Sequence, residues 1–396
     1  MLTACRKAGY TGDARGSKIL KNEYHIAVLG GYGHFGSRVV RTLSRDSNLL
    51  ISVVGRDRNK AETFCGSLTS SNIPARIQTV VMDQNAPDFG GRLRELGIKL
   101  VIHTSGPYQT QGYEVADSCI QAGAHYLDLA DGRSFVAGIS RLNSAALERQ
   151  VLIVTGASTL PALSSAVVDA YKGNFSELKE IAISIAPGQK TPRGLATLAA
   201  VLSYCGKAFP VWSDGAWRRA YGWQDVHRFR YPKLGARWLS RCDVPDLELF
   251  PSHYAPVRTV RFDAALELTI GQLGFWFLSW VTRLRALGQP ARFAPLFLKV
   301  GSWLDRFGSD VGGMHVALSG LDHKGQPKRL QWHLTAGSGH GPEIPTMAAI
   351  ILARKLANGS CSLRGAFPCL SLIALEEFAV AMRDLDIEWS ATEEYL

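Results

Sequence analysis

The stretch HIAVLGGYGHFGSRVVRTL, His25 to Leu43, decides the fold. HIAVLG is a short apolar run closed by glycine, as a buried strand would be, and SRVVRTL spaces its apolar residues as a helix lying on a sheet does. Between them stands Gly31-Tyr32-Gly33-His34-Phe35-Gly36, a G-x-G-x-x-G directly after a strand and directly before a helix. In that setting each glycine has its own task. Gly31 allows the sharp turn, Gly33 lets the backbone approach a pyrophosphate, and Gly36 lets the helix pack closely on the strand. The helix amides and dipole then face the negative charge. Gly31, Gly33, His34, Phe35 and Gly36 are therefore the expected contacts of a dinucleotide.

The same rhythm repeats downstream. ISVVG (Ile51 to Gly55), IQTVVM (Ile77 to Met82), KLVIH (Lys99 to His103), HYLDL (His125 to Leu129) and VLIVT (Val151 to Thr155) alternate with helix-patterned segments. This predicts an α/β fold with a doubly wound parallel sheet covered on both faces, a Rossmann domain. The end of its second strand selects the nucleotide, because an acidic residue there accepts from the ribose 2′-OH and repels a 2′-phosphate. Here the strand runs Val53-Val54-Gly55-Arg56, and the Arg56 guanidinium suits a 2′-phosphate, so NADP(H) is the expected cofactor. Asp57 reads as an N-cap for the next helix. Asp83, after the third strand, contacts adenine or caps a turn.

From about Ser158 the pieces become longer and more aromatic, as in a second, α+β domain. IAISIA (Ile181 to Ala186) and VRTVRF (Val257 to Phe262) read as strands, and MHVALSGL pairs with RLQWHLTA as a hairpin about His323, Lys324 and Gly325. IPTMAAIILARKLANG, Ile344 to Gly359, ends in Arg354 and Lys355 and stops at Asn358-Gly359, so it reads as a helix that packs back on the first domain. The expected division is a mobile leader over 1–22, a dinucleotide-binding domain over 23–157 and 343–396, and an inserted α+β domain for substrate or dimerisation over 158–342.

Between Ala216 and Arg306 stand 14 Lys/Arg against 7 Asp/Glu, with six of the nine tryptophans. Such a segment expects an anionic partner, a phosphate, a carboxylate or an acidic membrane surface. Nucleic acid is not expected, since no zinc finger, RRM-type aromatic motif or basic helix with heptads accompanies the charge. LTIGQLGFWFLSWVT, Leu268 to Thr282, is uncharged for 15 residues, short of the roughly 20 that span a bilayer. It reads as a buried helix, a homodimer interface or a peripheral membrane contact, since Arg283, Arg285, Arg292, Lys299 and Arg306 follow closely. The seven cysteines are scattered without a C-x-x-C pair and the ten histidines form no H-E-x-x-H. Free thiols in a reducing, cytoplasmic compartment are expected, and a metal site is not.

In a doubly wound sheet the ligand lies beyond the carboxyl ends of the strands, so Ser105, Gly106, Tyr108 and Asp131, which follow the fourth and fifth strands, converge on the nicotinamide. Gly106 gives backbone access there. Tyr108 and Asp131 are the candidates for handling a proton. Each also has a structural reading, Tyr108 as a ring packed on the cofactor and Asp131 as a cap for the helix beginning near Arg133. Tyr126 and Asp128 alternate on a strand and read as core and structural partner, and His103 reads as a core histidine.

VIHTSGPYQTQGYEVADSCIQAGAHYLDLADG, Val101 to Gly132, resembles the Gly-Pro-Tyr region of the saccharopine dehydrogenase-like family. GASTLPALSSAVVD (Gly156 to Asp169), GPEIPTMAAIILARKLANG and GAFPC (Gly365 to Cys369) extend the resemblance over most of the chain from His25 onward, the Trp-rich segment excepted. It implies an NADP-binding Rossmann domain with an α/β domain inserted before the final helices. Better-studied members work on a C–N bond between an amino acid and a keto acid, and related branches on lipid-like double bonds. No arginine cluster matches the carboxylate pocket of the saccharopine enzymes, and the aromatic stretch from Gly271 to Phe307 suits a greasier ligand. The expected activity is NADP(H)-dependent hydride transfer to or from a C=N, C=O or C=C bond of a small or lipid-like substrate. The alternative is a nucleotide-binding scaffold or membrane-associated protein without turnover.

Overall fold

The computed structural model describes residues 23–69, 73–284 and 290–396, and the expected leader, 1–22, lies outside the described residues. The first unit alternates strand and helix: β1 (Tyr24–Leu29), α1 (Gly36–Leu43), β2 (Leu49–Gly55), α2 (Arg58–Thr69), β3 (Arg76–Val81), α3 (Phe89–Glu95), β4 (Leu100–His103), α4 (Glu114–Ala122), β5 (His125–Asp128), α5 (Arg133–Ala137), α6 (Asn143–Glu148) and β6 (Leu152–Thr155). After α7 (Ser164–Tyr171) come β7 (Glu177–Ala186), α8 (Leu195–Ser203), β8 (Ala208–Ser213), β9 (Ala216–Tyr221), β10 (His227–Tyr231), β11 (Gly235–Arg241) and α9 (Asp246–His253). The second unit continues with β12 (Thr259–Ala265), α10 (Thr269–Arg283), α11 (Ala294–Leu304), β13 (Gly312–Leu321) and β14 (Pro327–Ala336). The chain closes with α12 (Ile344–Ala357), β15 (Gly365–Pro368), α13 (Leu375–Met382) and β16 (Ile387–Tyr395).

Seven strands form the first sheet in the order β15-β6-β5-β4-β1-β2-β3, all parallel. β1 lies between β2 and β4, so the strand order reverses at its carboxyl end, and the glycine-rich turn sits at that reversal. Helices cover both faces, which is why these strands read as continuous apolar runs. Ile26, Val28, Ile51, Val53 and Ile102 pack into one layer, and Ala27, Leu29, Val54, Val101 and Tyr126 into the other. The seventh strand comes from the far end of the chain. β15 adds at the β6 edge, Gly365 opposite Leu152 and Pro368 opposite Thr155, and an edge strand can carry a proline.

α12 packs against α1, with Arg354 Nε 2.8 Å from Asp46 Oδ2 and Arg38 Nε 3.1 Å from Glu343 Oε1. The last strand departs from the expected return of 343–396 to the first domain. β16 crosses to the second sheet and pairs along its length with β14, Trp389 opposite Leu334. Its half-buried Ile387 and Trp389 alternate with exposed Glu388 and Ser390, the pattern of an edge strand with one wet face, and its acidic end hides that pattern from a search for apolar runs.

The second sheet runs β10-β11-β12-β7-β13-β14-β16, with the β8–β9 hairpin joined to β12. β7 and β12 are parallel and the other neighbours antiparallel. The β13–β14 hairpin turns at Asp322, whose Oδ1 accepts from Lys324 N and Gln326 N at 2.8 Å each, while Gly325 takes φ +78°. α10 is held to this sheet by a buried glutamine: Gln272 Oε1 accepts from Leu266 N at 2.7 Å and its Nε2 donates to Ser240 Oγ at 2.7 Å. No described helix is long and apolar enough to cross a membrane.

Candidate functional site

Gly30 leaves β1 at φ +71°, and its carbonyl accepts from Gly33 N at 2.7 Å, so the turn closes on itself. A Cβ on Gly36 would overlap that carbonyl oxygen and stand 2.7 Å from Thr104 Oγ1, so this position admits glycine alone. At Gly33 a Cβ would meet the Gly30 oxygen at 3.0 Å and otherwise open space. α1 begins beside that space without a side-chain cap, and the N–H groups of His34, Phe35 and Gly36 carry no hydrogen bond to a described residue. Unspent donors at the positive end of a helix dipole are what an anion needs.

At the end of β2, Arg56 is exposed and forms no ion pair with a described residue. Asp57 is turned to α2, where its Oδ1 accepts from Lys60 N at 3.1 Å as a cap. Tyr32, which sequence reasoning passed over, lies on Gly55 so closely that a Cβ there would overlap its ring, and its hydroxyl accepts from Asp57 N at 3.1 Å. Asp83 Oδ1 accepts from Asn85 N at 3.0 Å and caps its turn.

Beyond the carboxyl edge of the first sheet opens a cavity of about 1260 Å³ that reaches into the second unit. Near the sheet its wall is polar, with His34, Gln109, Asp131 and Arg133 facing Tyr204 and Asp243. Farther in, Leu198, Phe262, Phe275, Phe297, Met314 and Leu334 make it apolar. Arg133 bridges the two units: Nη1 stands 3.1 Å from Asp243 Oδ1 and 2.7 Å from the Pro210 carbonyl, and Nη2 2.7 Å from Glu248 Oε2. Arg193, the other guanidinium in the wall, is 2.6 Å from Asp305 Oδ1.

The sheet-edge residues separate in their orientation. Ser105 borders Gly30, and its carbonyl accepts from Gln111 Nε2 at 2.8 Å beside Gly106. Tyr108 turns inward, against Phe135 and His103, and its hydroxyl donates to the His103 carbonyl at 2.7 Å. Burial holds that phenol well above its ordinary range, and Tyr108 is not part of the cavity wall. His103 pairs with the Tyr126 hydroxyl at 3.0 Å and is pulled down to about 4 by burial, as a core histidine is. Asp131 opens onto the cavity, where its Oδ1 accepts from Gln109 Nε2 at 3.0 Å. It caps no helix, since the N-cap of α5 is Gly132 and no side-chain hydrogen bond closes that end. Desolvation in the wall raises its carboxyl, against the pull of Gln109.

Two further residues belong to the site. Asp128 is fully buried beneath the Asp131 loop, and its Oδ1 accepts from Ala130 N at 2.9 Å, Thr155 Oγ1 at 2.9 Å and Gly156 N at 2.8 Å. It thus ties the ends of β5 and β6 together, and desolvation lifts it to about 6 despite those donors. Tyr204 follows α8, and burial, the neighbouring Cys242, and the carboxylates of Asp131 and Asp243 keep its phenol protonated. It comes from the other domain, so no local sequence pattern could link it to Asp131.

The sequence profile of the saccharopine dehydrogenase NADP binding domain matches residues 26–171, from β1 to the end of α7. The amino-terminal domain is thus similar to the saccharopine dehydrogenase NADP binding domain. A saccharopine dehydrogenase-like oxidoreductase of Mus musculus is 25% identical over 153 residues, and the aligned part is 35% of this chain and 35% of that protein, so the chain spans about a third of the curated relative it matches. The apo saccharopine dehydrogenase (L-Glu forming) of Saccharomyces cerevisiae shares the fold over 93% of this chain and 100% of its own, with a TM-score of 0.66 at 12% identity. Likeness to the saccharopine dehydrogenases is thus one of sequence as far as α7 and of fold beyond it. The unspent amides of α1, the open space at Gly33 and the exposed Arg56 all fit the nucleotide of an NADP binding domain.

Proposed function

We propose that the protein is an NADP(H)-dependent oxidoreductase that acts on an elongated, apolar, lipid-like substrate through a C=N, C=O or C=C bond. One observation carries this reading: the cavity begins at the Rossmann edge, at His34, Phe35 and Asp131, and continues into the apolar interior of the second unit. Its volume of about 1260 Å³ exceeds the roughly 300–1,000 Å³ of ordinary ligand pockets. Both guanidiniums in its wall are neutralised, Arg133 by Asp243 and Glu248 and Arg193 by Asp305. A dicarboxylate would find no free arginine among the described residues of the wall, whereas a hydrocarbon chain gains by leaving water. An open cavity at this edge also favours a catalyst over a nucleotide-binding scaffold, which needs no such space.

In this reading the His34, Phe35 and Gly36 amides hold the pyrophosphate, Gly31 allows the turn and Gly33 lets the pyrophosphate approach, Arg56 meets the 2′-phosphate, and Ser105 and Gly106 border the nicotinamide. Bound NADP(H) supplies or takes up the hydride equivalent. The chain handles the proton. The Asp131 carboxyl and the Tyr204 hydroxyl stand at the polar end as the groups that give a proton to, or take it from, the substrate atom beside them. Tyr108, whose hydroxyl is spent on His103, packs beside the loop that carries Asp131. The apolar walls exclude water and align the chain of the substrate.

Arg56→Ala is expected to weaken NADPH by about 1.5–3 kcal/mol, the contribution of a hydrogen bond to a charged group, and to leave NADH nearly unchanged. Calorimetric titration of both nucleotides reads the difference, and an equal loss for both would remove Arg56 from the 2′-phosphate. Asp131→Asn keeps the side-chain shape and should slow NADPH oxidation by a long-chain enone, ketone or imine on the order of 10²-fold, at unchanged NADPH affinity. Faster turnover of an amino acid and keto acid pair than of any apolar compound would overturn the reading.

A further inference from the structure

α10 and α11 roof the cavity, meet at Phe275 and Phe297 with ring centroids 5.6 Å apart, and leave a second face exposed. Along α10 and its carboxyl end, Ile270, Leu273, Phe277, Trp280 and Leu284 recur at i, i+3, i+7, i+10 and i+14, one stripe of a helix. Ile270 is 71% and Phe277 65% exposed. Along α11 and its flanking turns, Phe293, Leu296, Val300, Trp303 and Phe307 repeat that spacing, with Leu296 58% and Trp303 60% exposed. Scattered exposed apolar side chains are ordinary, but two such stripes on touching helices form a patch that marks a contact surface.

Charge chooses the occupant. In the described residues from Thr269 to Leu304 the cations are Arg283, Arg292 and Lys299, and no residue is acidic. The flanking carboxylates are paired, Glu267 with Arg237 and Ser309, Asp305 with Arg193. A second copy packed here about a two-fold axis would set cation against cation. An acidic lipid surface meets those cations with opposite charge and takes the apolar stripes into its acyl boundary. The cavity opens on the same face. Ile270, Val300 and Trp303 are at once exposed and part of the cavity wall, and between them a Cβ on Gly274 would meet nothing within 4 Å.

We propose that the exposed face of α10 and α11 docks on an anionic membrane and that the cavity takes its substrate, a membrane-resident lipid, from the acyl layer through the mouth between these helices. The choice of substrate rests on the oxidoreductase reading, whereas the docking stands without it.

The test is co-sedimentation of the full chain with vesicles of phosphatidylcholine alone or doped with phosphatidylserine. Binding to the acidic vesicles is expected, at least about tenfold weaker to neutral ones or at high salt, because headgroup attraction is screened. Brominated acyl chains should quench the tryptophan fluorescence of the bound protein. Arg292→Glu with Lys299→Glu should reduce acidic-vesicle binding by about 25-fold or more, each cation near such a surface counting for about fivefold. Phe277→Ser with Leu296→Ser, neither of which lines the cavity, should abolish binding while circular dichroism and NADPH affinity stay as in the wild type. No sedimentation with either vesicle, or binding untouched by both double variants, overturns the proposal. So does a wild-type dimer in gel filtration that the Phe277→Ser, Leu296→Ser pair converts to a monomer, which gives the face to a second copy. Loss of NADPH binding with docking intact would instead overturn the oxidoreductase reading alone.

Discussion

Gly33→Val is expected to lose NADPH binding by more than about 10³-fold in a protein that keeps its fold. The backbone at Gly33 does not take a positive φ, so valine is admissible there, and its Cβ meets only the Gly30 oxygen, at 3.0 Å. The methyl groups then project into the open space before the His34, Phe35 and Gly36 amides, where the pyrophosphate has to lie. Losing two or more hydrogen bonds to a charged ligand, each contributing about 1.5–3 kcal/mol, removes on the order of 10³-fold in affinity. Gly36→Val acts by a different route, since its Cβ overlaps the Gly30 carbonyl and forces α1 away from β1. Nicotinamide fluorescence titration beside a thermal melt separates the two: Gly33→Val melts near the wild type without binding, and Gly36→Val melts early. NADPH affinity within about tenfold of wild type in Gly33→Val would move the phosphate site elsewhere.

Asp128→Ala should lower the unfolding free energy by about 3–5 kcal/mol. Its Oδ1 is the shared acceptor of Ala130 N, Gly156 N and Thr155 Oγ1, and the alanine leaves all three donors in a dry interior, at about 1–3 kcal/mol for each one left unmet. Asp128→Asn retains the accepting oxygen and should be much milder. Desolvation has already raised the Asp128 carboxyl to about 6, so the neutral amide resembles a state the native protein reaches in mildly acidic solution. Urea unfolding of both variants reads the difference. The same loss frees the loop that carries Asp131, so NADPH oxidation should fall in Asp128→Ala below the melting range. An alanine variant within about 1 kcal/mol of wild type would show that water replaces the carboxylate.

The Rossmann sheet, its glycine turn and the hairpin about Gly325 were legible from local pattern alone. Apolar runs at strand length, helices at three- and four-residue spacing and a turn that tolerates only glycine at Gly36 are all set by neighbours a few residues away, and such interactions are written directly in the order of the residues. Tyr108 and Asp131 could not be told apart in that way. Both follow a strand of the sheet, and only the packing of Phe135 and His103 about the tyrosine ring turns its hydroxyl inward while Asp131 faces the cavity. Tyr204 enters the same wall from the second domain, β15 joins the sheet from the far end of the chain, and β16 leaves its expected domain to cover the edge of β14. The helix over Thr269–Arg283 read as buried or interfacial because its composition suits either, and in the fold one side is covered and the other exposed: Gln272 and Phe275 face the sheet and the cavity, Phe277 faces outward. Which side of a helix or loop is covered depends on surfaces brought from distant parts of the chain, and a periodicity states that a face exists without stating what meets it.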